Sequence, residues 1–163
     1  MNSKKQIVYD KLDSMKIKYE VTDHLAVYTI SEMEQLRIDG MSEVVKNLFL
    51  RDVKGKRHFL VVLQKDKKVN LKDLQKKLGS TSLSFASQER LYTFLGLEKG
   101  AVTPLGVLND TKSAVEVVFD VDISTYSRIG IHPNDNTSTV WLVFKDLEQV
   151  IKSCGNSITY VSI

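Results

Sequence analysis

Apolar residues at Ile7, Val8, Leu12 and Met15 recur at helical spacing, which predicts a helix over residues 5–15. Alternation over 18–21 predicts a short strand. Ser31-Glu32-Met33-Glu34 has the Ser-x-x-Glu spacing of a capping box, so a second helix is expected to run to about Ile38 and stop at Gly40. Two apolar runs, 44–51 and 57–64, flank the glycine-containing turn Asp52-Val53-Lys54-Gly55-Lys56 and predict a hairpin. Asn70 caps a helix with Leu71, Leu74 and Leu78 on one face, ending at Gly79. A short strand at 83–85 and a helix from the cap Ser87 through Leu95 follow. Residues 96–108 read as a loop with a short extended piece. Strands are expected at 114–120, 127–131 and 139–144, a helix at 146–154 closed by Gly155, and a last strand at 157–161. Helices interspersed with strands joined by tight turns predict an α/β fold of the α+β type. Its sheet should be mixed or largely antiparallel with helices around it, not doubly wound and parallel.

Size and composition narrow this picture. A chain of 163 residues suits a single domain spanning 1–163, able to bury roughly 70% of its unfolded surface without a disulfide or metal staple. With 42% hydrophobic and 26% charged residues it is neither disordered nor fibrous. The one cysteine, Cys154, excludes an internal disulfide and fits a reducing compartment. No hydrophobic core of a signal peptide follows Met1-Asn2-Ser3-Lys4-Lys5-Gln6, and no apolar run approaches the ~20 residues that span a bilayer. A soluble cytoplasmic protein with no membrane partner is expected.

The net charge of +3 is too small to argue for nucleic acid. Its distribution is more informative. Lys54, Lys56, Arg57, Lys65, Lys67, Lys68, Lys72, Lys76 and Lys77 fall within one 24-residue stretch. That is either a basic face for a phosphate backbone or a solvated hairpin and helix.

Three segments have the makings of a site. Lys46 sits in the apolar run Val44-Val45-Lys46-Asn47-Leu48-Phe49-Leu50. Alternation puts it on the face of Val44, Leu48 and Leu50, with Asn47 opposite beside Val45 and Phe49. Burying an unpaired ammonium is costly, so Lys46 either snorkels from a strand edge or is fixed in a cleft to hold an anion such as phosphate. Gly100-Ala101-Val102-Thr103-Pro104-Leu105-Gly106 forms a rigid loop, structural or able to aim backbone N–H groups at a carbonyl oxygen on which charge develops. It lacks the Walker pattern of a nucleotide-binding loop. The third segment, 130–139, packs His132, Asn134, Asp135, Asn136 and three hydroxyls into ten residues, either as a polar turn or as substrate contacts. His24 is a comparable case near the N-terminus, and His58 is expected at the surface. Three scattered histidines and one cysteine do not form a zinc site, and no Gly-x-Ser-x-Gly elbow occurs. Cys154 is expected to be packed rather than nucleophilic.

Four segments, in order, resemble the YbaK/prolyl-tRNA-editing family and its free-standing ProX/PrdX-like branch, which deacylates alanyl-tRNA(Pro). They are Thr22-Asp23-His24-Leu25-Ala26-Val27-Tyr28-Thr29, then Val45 to Leu50, then Gly100 to Gly106, then His132-Pro133-Asn134 with Asn136-Thr137-Ser138-Thr139. Leu83-Ser84-Phe85-Ala86 before a helix also fits. The resemblance implies a partly barrel-like sheet surrounded by helices. It implies hydrolysis, without cofactor or metal, of the ester joining a wrong amino acid to the terminal adenosine of tRNA(Pro). Lys46, Gly100 and His132 then carry the catalytic roles. Lys46 holds the terminal phosphate, the Gly100 loop lines the aminoacyl pocket with backbone groups, and His132 positions the substrate. Asn47, Val27, Tyr28, Ala101, Val102, Thr103, Pro104 and Asn136 are the substrate-binding candidates. No protein nucleophile is implied, since the substrate's own ribose hydroxyl assists an attacking water.

The implied partners are the acceptor end of mischarged tRNA(Pro) and prolyl-tRNA synthetase, without DNA, for a monomer or weak dimer. One departure stands out: Leu25 occupies a position where relatives of the branch commonly show proline, and is expected to reshape the pocket wall. The alternatives are a deacylase preferring cysteinyl-tRNA(Pro), a non-catalytic sensor of amino acid or aminoacyl-tRNA on the same fold, and a basic RNA-interacting domain.

Overall fold

The computed structural model describes residues 3–36 and 43–163. The chain opens with helix α1 (Ser3–Ser14), which buries Val8 and Leu12, strand β1 (Tyr19–Asp23) and helix α2 (Ile30–Gln35). The hairpin of β2 (Val45–Arg51) and β3 (His58–Gln64) follows, then α3 (Leu71–Leu78), β4 (Ser84–Phe85) and α4 (Gln88–Leu95). The second half holds β5 (Val115–Asp120), β6 (Ile129–Ile131), β7 (Ser138–Leu142), α5 (Phe144–Ser153) and β8 (Ile158–Val161).

Local chemistry explains most of these boundaries. The Asn70 side chain accepts from the N–H groups of Lys72 and Asp73, and that of Ser87 accepts from Arg90, so both helices start where a free oxygen meets orphan donors. Helix α2 begins earlier than its expected box. Thr29, not Ser31, is the cap: its Oγ1 accepts from the Glu32 N–H, and the Glu32 carboxylate accepts from the Tyr28 N–H. Thr29-x-x-Glu32 has the same spacing as Ser31-x-x-Glu34, so the pattern alone did not choose between them. The expected stop at Ile38 and Gly40 lies outside the described residues. The 96–108 loop ends in a 3-10 turn, Pro104–Asn109, which Thr103 caps and Pro104 enters with its fixed φ.

The strands form two sheets. One has the order β4-β2-β3-β5-β8, with β2 antiparallel to β3 and β4, and β3-β5 and β5-β8 parallel. The other, β1-β7-β6, is antiparallel throughout. A parallel bridge between Val44 and Gly130 joins them. Both faces of the larger sheet are covered. Val45, Phe49, Leu60, Val62, Val117 and Phe119 pack against α4, α5 and the smaller sheet, while Leu50, Phe59, Val61, Leu63 and Val118 pack against Leu74 of α3. That double burial is why β3 reads as a continuous apolar run rather than an alternating one.

His58 corrects the surface assignment. It is only 1% exposed, between the rings of Phe49 and Phe94 at 5.6 and 3.9 Å, and its Nε2 accepts from Arg90 Nη1 at 3.2 Å. Lysines and an arginine around it suggested solvent, but as the first residue of β3 it turns inward. Burial, reinforced by the Arg90 charge, lowers its pKa from 6.5.

The basic stretch is also partly neutralised from within. Arg57 binds Glu116 through two bonds, at 3.0 and 2.9 Å. Lys65 pairs with Glu34 at 2.8 Å, and Lys67 bridges Asp120 and Asp122 at 2.9 and 2.5 Å. Lys77 donates to the Ser162 carbonyl.

Candidate active site

Where the sheets meet, at the Val44–Gly130 bridge, they leave a cavity of about 240 Å³. The start of β2 contributes Val44, Val45, Lys46 and Asn47, and the connection from β1 into α2 contributes Val27 to Ile30 with Met33. Gly100 and Val102 form a third wall. Gly130, Ile131 and His132 at the end of β6, with Thr139 of β7, form the fourth. Of the sequence candidates, Lys46, Asn47, Val27, Tyr28, Gly100, Val102 and His132 are brought together here. Ala101, Thr103, Pro104 and Asn136 do not line it.

Those four shape the cavity indirectly. Thr103 is fully buried and its hydroxyl accepts from the Leu105 N–H, anchoring the 3-10 turn beyond the wall. Pro104 starts that turn, and the Ala101 N–H is taken up by the Glu98 carbonyl. For the N–H groups of Gly100 and Val102 no protein acceptor occurs among the described residues. Asn136 donates to the Val27 carbonyl at 2.8 Å and accepts from the Val27 N–H at 3.3 Å, so it positions a wall.

Gly100 has φ +88, and a Cβ on it would lie 2.5 Å from Cδ1 of Tyr28. The tyrosine therefore rests directly on the loop backbone, which a side chain at position 100 would prevent. Gly130 plays a similar part for Trp141, whose Cζ3 is 2.5 Å from the place of a Cβ. Trp141 is held by a bond from Nε1 to Thr22 Oγ1 at 3.0 Å and by the Arg128 guanidinium 4.6 Å from its ring centre.

Lys46 is half-buried. Its ammonium donates to the carbonyl of Lys67, in the turn after β3. A bond from Gln64 lowers the Asp66 pKa, and the charges of Lys65 and then Lys46 add to that shift. Asn47, on the opposite face as alternation requires, has a buried Oδ1 that meets no donor. A buried acceptor without a partner costs stability, and its position on the cavity wall suits a ligand N–H.

The histidines are tied into the walls. His132 donates from Nδ1 to the Ser138 carbonyl at 3.0 Å, leaving Nε2 as its acceptor in the neutral form. Burial lowers its pKa from 6.5 against the opposing Ser138 bond, and the neighbouring His24 lowers it further. His24 donates from Nδ1 to the Leu25 carbonyl at 2.8 Å and accepts from Thr139 Oγ1 at 2.9 Å. Its ring centre lies 6.1 Å from that of His132. Behind His132, Lys5 of α1 donates to Ser138 Oγ at 2.6 Å, and Ser138 donates to Asp23 at 2.5 Å.

Thr29, Ile30, Met33, Val44, Val45, Gly130, Ile131 and Thr139 also line the cavity, although none was singled out as a site residue. The apolar ones among them carried only ordinary periodicity, indistinguishable from core. Leu25 corrects a further expectation: it is 78% exposed and its side chain does not line the cavity. Among the described residues no group of three or more His, Cys, Asp or Glu side chains is placed to hold a metal, and no helix is long and apolar enough to cross a membrane.

Two histidines, the buried His58 and the half-buried His132, whose pKa values desolvation lowers, make stability pH-dependent. Their folded pKa values lie below 6.5, so below that pH the unfolded chain binds more protons than the native state. Stability is fully present above 6.5 and is lost as pH falls toward the lowered native values. The melting temperature is therefore expected to drop between about pH 7.5 and about pH 5.5, and His58→Gln should flatten that slope. A wild-type profile that is level over this range contradicts the assignment.

Comparison with known proteins places this architecture. The fold is shared with the crystal structure of a candidate trans-editing enzyme for prolyl tRNA synthetase, at TM-score 0.75 and 18% identity over 100% of this chain and 99% of the other. Residues 24–150 match the family described as the aminoacyl-tRNA editing domain. The chain belongs to that family, which makes it by class an aminoacyl-tRNA deacylase. It is 52% identical over 159 residues to the prolyl-tRNA editing protein ProX of Acetoanaerobium sticklandii, covering 98% of this chain and 97% of that protein. It is 34% identical over 154 residues to prolyl-tRNA synthetase associated domain-containing protein 1 of Danio rerio, covering 93% of this chain and 83% of that one.

Proposed function

We propose that this protein edits mischarged tRNA(Pro) in trans, hydrolysing the ester that joins alanine to the terminal adenosine. The observation that carries this reading is the cavity, about 240 Å³, mostly apolar, with polar side chains from Lys46, Asn47, His132, Tyr28, Thr29 and Thr139 and the backbone of the Gly100 loop. A site accepting proline cannot reject smaller amino acids by size, because each missing methylene is worth only about 1–3 kcal/mol. A second, smaller pocket removes that error.

The chemistry follows from what each group offers. The N–H groups of Gly100 and Val102 donate to the ester carbonyl oxygen as negative charge develops on it. The unpaired Asn47 Oδ1 accepts from the amino acid's ammonium. Lys46 exchanges the Lys67 carbonyl for the terminal phosphate. His132, neutral because burial lowers its pKa, offers Nε2 as an acceptor for a substrate hydroxyl. No side chain supplies a nucleophile: water attacks the ester carbon, the substrate's own ribose hydroxyl assists, and the adenosine oxygen leaves.

The test is a panel of alanyl-, cysteinyl-, seryl- and prolyl-tRNA(Pro), following loss of the ester. Fastest turnover of the alanyl substrate, with prolyl-tRNA(Pro) spared, is the expected outcome. Intact esters throughout would refute the reading, and faster loss of the cysteinyl ester would reassign the pocket.

A further inference from the structure

A groove of about 350 Å³ lies apart from the cavity and shares no lining residue with it. Lys4 and Ile7 of α1 form one side, and Tyr92 of α4 with Gly96 forms the other; Asn134 also lines it. The groove adjoins the two loops that wall the cavity: the chain runs from Gly96 to Gly100, and Asn134 follows His132 by two residues.

Asn134 is the feature that needs a ligand. It is 3% exposed, yet its Oδ1 meets no donor. Native proteins rarely bury an amide that way, since the lost hydration goes uncompensated. A bound group that brings an N–H into the groove would restore the bond. Tyr92 faces the same space and is 62% exposed, and Ile7 adds a second exposed apolar side chain. A flat aromatic wall beside a buried primary amide suits an unpaired nucleobase, which stacks on the ring and pairs through its Watson–Crick edge. The missing partner is a donor, so the base should carry an exocyclic amine. Lys4, paired with Glu98 at 3.9 Å, places a cation on the rim where a sugar-phosphate backbone would run.

We propose that this groove seats one of the two cytidines that precede the terminal adenosine of tRNA, read by Asn134 and stacked on Tyr92. This rests on the tRNA-editing reading. The cytosine N4 amine donates to Asn134 Oδ1, and the amide Nδ2 donates to N3. Uracil presents an acceptor where cytosine presents that amine. A tail held at this second point would fix the direction from which the ester enters the cavity.

The experiment titrates the uncharged trinucleotides C-C-A and U-U-A into wild-type protein, Tyr92→Leu and Asn134→Gly, followed by NMR. Position 134 has φ +62, so glycine removes the amide without straining the backbone, and Tyr92 is exposed enough for leucine to leave the fold intact. Wild type should bind C-C-A about tenfold more tightly than U-U-A, Tyr92→Leu should weaken both about tenfold, and Asn134→Gly should bind the two equally. Absence of C-C-A binding, or a cytosine preference that survives in Asn134→Gly, overturns the proposal. A protein that leaves every aminoacyl ester intact but shows the Asn134-dependent preference would refute the editing reading and keep the groove. One that hydrolyses alanyl esters on C-C-A and U-U-A tails with the same KM would keep the editing reading and refute the groove.

Discussion

Gly100→Ala is expected to slow ester hydrolysis about 100-fold while the protein stays folded. Two effects combine at this position. At φ +88 an L side chain is strained, at a cost of about 1–2 kcal/mol, so the loop relaxes away from its native dihedrals. The new methyl would also sit 2.5 Å from Cδ1 of Tyr28 and displace that ring from the loop. Tyr28 is exposed, so it can swing outward without opening the core, which is why the fold survives. The rotation of the loop re-aims the N–H groups of Gly100 and Val102, and misaligning one such donor costs about 100-fold or more in rate. Single-turnover decay of alanyl-tRNA(Pro), with a thermal melt of the variant, checks this. A variant retaining the wild-type rate within about threefold would mean that the loop donors are not used.

The second large effect is at Lys46. Lys46→Ala is expected to lower kcat/KM at least about tenfold, mainly through KM and more strongly at low salt, because a charge-assisted bond to phosphate is worth about 1.5–3 kcal/mol. The ammonium is half-buried and already donates to the Lys67 carbonyl, so the free protein holds it at the cavity without leaving it unpaired. That contact also supplies a competing explanation, since losing it would loosen the turn between β3 and α3. Lys46→Met separates the two: it keeps the aliphatic stem and removes the charge. Reduced activity with a near-native melting temperature assigns Lys46 to the substrate. Full activity with a lowered melting temperature makes it a fastener of the turn.

The strand alternation around Lys46 was legible in advance, and the structure keeps it: Val45 and Phe49 enter one core, Leu48 and Leu50 the other. What the ammonium meets was not legible, because Lys67 lies 21 residues away, across the hairpin. His58 makes the same point more sharply. Its cationic neighbours in sequence suggested solvent, yet Phe49, Phe94 and Arg90, from β2 and α4, enclose it. Leu25 errs the other way. Its difference from the proline of relatives suggested a reshaped pocket wall, but Leu25 is exposed while His24 turns inward to Thr139.

The sequence by itself determined where helices and strands begin and end, to within a turn, and three of the four segments that meet at the cavity, the fourth, around Val27 and Tyr28, coming from the family resemblance. These depend on contacts a few residues long: Asn70 and Ser87 filling orphan donors, Gly79 and Gly96 taking left-handed φ at helix ends, apolar periods of two and of three to four. The tertiary structure alone decided which side chains face the cavity and which support it from behind. Ala101, Thr103 and Asn136 read no differently from Val102 and Asn47 until the Val44–Gly130 bridge sets one sheet against the other. That choice belongs to long-range packing, in which each segment's orientation is set by partners far along the chain, so no local pattern records it.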